Sequence, residues 1–118
     1  MVVDKARRKA LTEQFQQAPP EAGVYRIVNL HTGKALLGST ANLAGIRNRF
    51  EFARSSNSPA TLDHRLRADI ASLGWDFFSL EVLDRIEVTP VMPREEIASD
   101  LATLEGLWRE KSNSSLLY

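Results

Sequence analysis

Two short segments early in the chain carry the alternation of β-strands, 25–29 and 34–39, and they flank Leu30-His31-Thr32-Gly33. A four-residue loop ending in a glycine, which can take a positive φ, predicts a β-hairpin. If Asn29 is set opposite Lys34, then Tyr25 falls opposite Gly38 and Ile27 opposite Leu36. Side chains two residues apart share a sheet face, so Tyr25 and Leu36 project from the same side. Gly38 would leave room above that face for a ligand or for the tyrosine ring.

Helical spacing governs most of the remainder. Ala6, Ala10, Leu11 and Phe15 fall on one stripe of a helix over about 4–17, which Pro19-Pro20 must end. After the hairpin, Ser39-Thr40-Ala41-Asn42 offers N-caps for a helix reaching about Arg54, with Ile46, Phe50 and Ala53 as its buried face. A second helix is expected to start at Ser58-Pro59, a capping serine before a proline at the first helical position, and to close at Gly74. Its stripe is Leu62, Leu66, Ile70 and Leu73. Over 77–83, Phe78, Leu80 and Val82 alternate with Ser79 and Glu81 as in a strand. Pro90 and Pro93 mark a linker, and a last helix over 94–111 aligns Ile97, Leu101, Leu104 and Trp108. Three strands and several helices make a small α/β or α+β layered domain.

Composition narrows the possibilities. At 118 residues and 43% hydrophobic, the chain suits one globular domain with a compact core. It has no cysteine, which excludes disulfides and thiolate metal sites. It shows neither a long apolar run nor a signal peptide, so the expected location is the cytoplasm. Fifteen basic residues balance fifteen acidic ones, so any attraction to nucleic acid would need a local basic patch. Lys5, Arg7, Arg8 and Lys9 on the first helix, together with Arg47 and Arg49, are the candidates, although a short basic run is also what a solvated helix face looks like.

Gly23-Val24-Tyr25 and Leu36-Leu37-Gly38 together resemble the paired motif that names the GIY-YIG nuclease superfamily, with Val24 replacing the isoleucine and Leu36 replacing the second tyrosine. The resemblance extends to the order of elements: hairpin, helix, helix, third strand, then a helix bearing a glutamate. Within the superfamily the chain looks most similar to small stand-alone bacterial proteins. Their short motifs have counterparts in Gly38-Ser39, Asn42-Leu43, Asn48-Arg49 and Leu104-Glu105-Gly106-Leu107-Trp108. The resemblance implies a single domain over 1–118, with 1–20 a helical extension and 22–112 the core. That core would be a three-stranded, mainly antiparallel sheet flanked by helices.

It also implies a chemistry. Members of the superfamily hydrolyse phosphodiesters in DNA with a divalent cation, Mg2+ or Mn2+, held by one glutamate. An arginine stabilises the phosphorane, and a tyrosine acts as general base or water-positioning group. A cation and a guanidinium both neutralise charge that develops on phosphate as water attacks in line. Glu105 matches the metal ligand. It lies at the rim of the last helix's stripe, about 70° from its centre at about 100° per residue, where it could also pair with Arg109. Arg49 matches the arginine, with Arg47 in reserve, and Tyr25 matches the tyrosine. The three are expected to converge on one concave face of the sheet.

The chain departs from the pattern at several places. Where many members carry a histidine or tyrosine four residues after the arginine, Arg49 is followed by Ala53 and Arg47 by Glu51. His31 and His64 lie elsewhere, and the distal asparagine has only Asn113 as a counterpart. Three classes therefore stay open: a metal-dependent DNA endonuclease, a nuclease-fold protein that binds nucleic acid without cutting it, and a protein-interaction module on the same scaffold.

Overall fold

The computed structural model of the chain describes residues 21–118. The helix expected over 4–17, with Arg7, Arg8 and Lys9, lies outside the described residues. β1 (Ala22–Asn29) and β2 (Ala35–Thr40) form the hairpin in the expected register, with Tyr25 opposite Gly38 and Ile27 opposite Leu36. At the turn the Asn29 amide donates to the Lys34 carbonyl at 2.7 Å, and Gly33, at φ 78°, donates back to the Asn29 carbonyl at 2.8 Å.

β3 (Phe78–Ile86) joins the free side of β1, so β1 is central in an antiparallel sheet of order β2-β1-β3. The strand is displaced from the 77–83 expected. Trp75–Phe77 forms a 3-10 turn, and β3 then follows β1 along its whole length, from Asn29 opposite Phe78 to Ala22 opposite Ile86. The ladder shifts register between Val24, which faces Asp84, and Tyr25, which faces Val82. Beside this bulge the two backbones come so close that a Cβ at Gly23 would collide with the Asp84 carbonyl.

Three helices complete the described fold: α1 (Leu43–Ser55), α2 (His64–Leu73) and α3 (Arg94–Lys111). Asn42 caps α1, its side chain accepting from the Gly45 amide at 3.0 Å. The start of α2 differs from the expectation at Ser58-Pro59. These residues open only a 3-10 turn, Pro59–Thr61, and Leu62 then takes an extended conformation. The Ser58 hydroxyl donates backward to the Ser56 carbonyl and caps nothing, whereas the Asp63 carboxylate accepts the Arg65 amide at 2.9 Å and starts α2. Gly74 ends α2 as expected, at φ 90°.

The sheet is the middle of three layers. On one face Ile27, Leu36 and Phe78 pack with Phe50 and Ala53 of α1 and with Leu62, Leu66 and Ile70 around α2. On the other, Ala22, Val24, Ala35 and Leu37 are buried, as is Leu101 of α3. Trp108 of α3 donates to the Asp84 carboxylate at 3.3 Å and shares a cavity of about 220 Å³ with Arg26, Leu37 and Leu83. None of the described helices is long and apolar enough to cross a membrane.

Candidate active site

Tyr25 sits in the central strand on the face covered by α1 and α2, half-buried against the core. Its ring lies over Gly38. A Cβ there would come within 2.7 Å of the hydroxyl and 2.8 Å of Cζ, so the glycine opposite Tyr25 is what lets the ring lie down on the neighbouring strand. Leu36 flanks it on the same face, 6% exposed. Among the described residues no hydrogen bond engages the Tyr25 hydroxyl.

Tyr25 lines a cleft of about 330 Å³ together with Ile27, Leu36, Ile46, Arg49, Thr61, Leu62 and Asp63. α1 supplies Arg49, one turn beyond Ile46 and next to the buried Phe50. The same helix turns Arg47 to solvent, outside the cleft wall. The Tyr25 pKa is raised, first by burial, then by the negative charges of Glu105 and Asp63, with Arg49 and Arg65 opposing. Four charged side chains from three elements therefore act on one phenol, which stays protonated at neutral pH. A protonated phenol donates a hydrogen bond and orients a water; it is not a ready base.

Glu105 does not line the cleft. It comes from α3, whose Leu101 and Trp108 pack on the other face of the sheet, and it is half-buried and 3.6 Å from Arg109 one turn on. Its charge nonetheless acts on Tyr25. The expectation that all three residues share one concave face is met by Tyr25 and Arg49, while Glu105 approaches from another layer. The described residues contain no group of three or more His, Asp or Glu placed to hold a metal ion. A partly exposed lone carboxylate fits a hard cation that keeps most of its water shell, as Mg2+ does, and does not fit an all-protein cage.

The other sequence candidates lie apart. His31 is exposed at the hairpin tip, edge-on to Phe77 with ring centroids 5.4 Å apart. His64 is exposed at the first position of α2. Asn113 caps a 3-10 turn, accepting from the amide and hydroxyl of Ser115 at 3.1 and 2.7 Å.

Sequence reasoning missed Asp63 and Arg65. Asp63 walls the cleft, and its carboxylate accepts the Arg65 amide, Nε and Nη2, each at 2.9 Å. This pairing with Arg65 holds the Asp63 carboxyl well below the usual carboxylate range. The signal was present in Leu62-Asp63-His64-Arg65, an N-cap aspartate after an apolar residue, but the stronger-looking Ser58-Pro59 start obscured it.

No protein-family model and no curated protein matches the chain. Solved structures do. The catalytic domain of the homing endonuclease I-TevI aligns at a TM-score of 0.53 and 17% identity, over 76% of this chain and 86% of that one. A glutamate-to-alanine mutant of the I-TevI catalytic domain, there called an intron endonuclease, aligns at 0.54 and 15%, over 77% and 82%. At these identities the likeness is one of fold: the chain has the three-stranded antiparallel sheet and flanking helices of that catalytic domain.

Proposed function

We propose that the chain is a phosphodiester-cleaving nuclease of the GIY-YIG type acting on DNA, with Tyr25, Arg49 and Glu105 as its working residues. The observation that carries the reading is the cleft in which Tyr25, its hydroxyl free of hydrogen bonds among the described residues, stands with Arg49. A phosphate entering there meets a guanidinium that can take two of its oxygens and a phenol O–H that can hold a water or a third oxygen. Arg49 stabilises the charge that builds on the phosphate, and the protonated Tyr25 positions the attacking water. Glu105 is the residue that would hold Mg2+ or Mn2+, whose chemistry is to neutralise phosphate charge and acidify bound water. Arg109 lies 3.6 Å from the same carboxylate. Arg47, with Arg7, Arg8 and Lys9, would add backbone contacts to DNA.

A second reading is a scaffold that binds nucleic acid or protein without cutting. Leu36 favours it, since an alkyl side chain fills the core where a second phenol would otherwise flank Tyr25.

Nicking of a supercoiled plasmid in Mg2+ and in Mn2+ tests the first reading. The wild-type chain should nick, and Glu105→Gln should lose on the order of 10²-fold or more in rate while still binding an oligonucleotide. Wild-type binding without cleavage in either metal favours the second reading.

A further inference from the structure

We infer that Arg65, oriented by Asp63, is a second phosphate-binding guanidinium of the Tyr25–Arg49 cleft; this rests on the function proposed above. Asp63 is the one acidic residue in the cleft wall, and left bare it would repel a phosphodiester from Arg49. It is not bare. Arg65 grips both of its oxygens through Nε and Nη2 at 2.9 Å, so the carboxylate brings a cation with it rather than a naked negative charge.

The donor inventory leaves Arg65 with capacity to spare. A guanidinium carries five N–H groups. Nε and one Nη2 hydrogen go to Asp63, and one Nη1 hydrogen goes to the Tyr118 carbonyl at 3.4 Å. The second hydrogens on Nη1 and Nη2 stay uncommitted. They remain as donors for a phosphate oxygen. The side chain is 46% exposed, so a backbone phosphate can reach it. Arg65 is not itself part of the cleft wall and adjoins it through Asp63, whose carboxylate it holds.

Asp63 is then a positioning residue. It caps α2 through the Arg65 amide and fixes the Arg65 side chain with the same two oxygens, so the direction of the fork is tied to the first turn of the helix. Arg49 in the cleft wall and Arg65 beside it, from α1 and α2, then offer two guanidinium contacts to a phosphate backbone. Arg67, exposed on the same helix, donates its Nε to the Leu62 backbone carbonyl at 3.3 Å and, among the described residues, bonds no side chain of the cleft wall; it serves as the control.

Fluorescence anisotropy of a labelled single-stranded oligonucleotide, titrated with the full chain without metal over a salt series, tests the assignment. Arg65→Ala should weaken binding about 5- to 10-fold at low salt and flatten the plot of log K against log salt by about 0.7, the share of one phosphate contact. Arg65→Lys should keep the slope yet bind about 2- to 5-fold more weakly, because an ammonium cannot serve Asp63 and phosphate in one plane. Arg67→Ala should change the slope by less than half as much. Equal slope losses in Arg65→Ala and Arg67→Ala, or an unchanged slope in Arg65→Ala when Arg49→Ala has lowered it, overturn the inference and leave the nuclease reading standing. A wild-type chain that binds no oligonucleotide at low salt overturns the nuclease reading itself.

Discussion

Two tyrosines touch the same core from opposite ends of one sheet face, and their surroundings could hardly differ more. At the turn end, the Tyr118 hydroxyl donates to Asp69 at 2.6 Å and accepts from Asn29 Nδ2 at 2.9 Å. Asn29, wholly buried, spends its side-chain Oδ1 on the amides of His31 and Thr32. The Tyr118 amide also donates to the Ala35 carbonyl at 3.0 Å, pinning the C-terminal segment to the edge of β2. At the other end Tyr25 lies over Gly38 with no hydrogen bond to its hydroxyl among the described residues, facing a cleft and four charges. Burial is the leading cause of a raised pKa in both. A phenol whose hydrogen bonds are satisfied internally stabilises a fold, whereas one left open to a cleft is available to something that enters it.

The contrast can be broken most sharply at Tyr25. Tyr25→Phe keeps the ring on Gly38 and removes only the hydroxyl, so cleavage should fall on the order of 10²-fold while the melting temperature holds within about 1–2 °C. A large loss of stability with unchanged nicking would make Tyr25 the structural tyrosine of the two. Tyr118→Phe should do the reverse. Losing a hydroxyl bonded to a carboxylate and to a buried amide costs about 1–3 kcal/mol, which calorimetry should record as a drop of several degrees with little change in nicking.

The same variant carries a pH signature. Tyr118 is raised above its ordinary value of 10.0 by burial and by its bond to Asp69, so its contribution is complete below pH 10 and lost as pH rises through the raised value. The stability gap between wild type and Tyr118→Phe should therefore narrow only above about pH 10, and a gap closing near neutrality would refute the assignment. The smallest expected effect is at Leu36. Its side chain borders both core and cleft, so Leu36→Tyr can send a phenol into the cleft at an overpacking cost of about 1–3 kcal/mol. Cleavage in Mn2+ should rise several-fold, and no change in rate would favour the non-cutting reading.

Much of this architecture is local enough to read from the chain. The hairpin register follows from one turn and a period of two, which also set Gly38 beneath Tyr25. α3 starts and stops where its apolar stripe and the prolines before it require. Other features depend on partners that spacing does not reveal. Asn29 reads as an ordinary strand-end residue until Tyr118, 89 positions away, arrives to bond it. β3 runs to Ile86 because β1 is long enough to pair it, although its own alternation fades after Val82. The Asp63 cap is hidden in the sequence by a proline that signals a helix start where the chain forms a 3-10 turn. Glu105 lies in the helix expected for it, but which layer that helix would form was not legible.

The strand order has a consequence for how the chain is made. β1 stands in the middle of the sheet yet comes first, so a growing chain can close the β1–β2 hairpin long before β3 exists. At ~5–20 residues per second, the stretch from Asn29 to Ile86 takes roughly 3 to 11 s to synthesise. Through that interval the inner edge of β1 offers unpaired amides and carbonyls, with Arg26 as its one charged side chain. The emerging hairpin is thus a sticky template on the ribosome, and pairing with β3 is the step that ends its exposure.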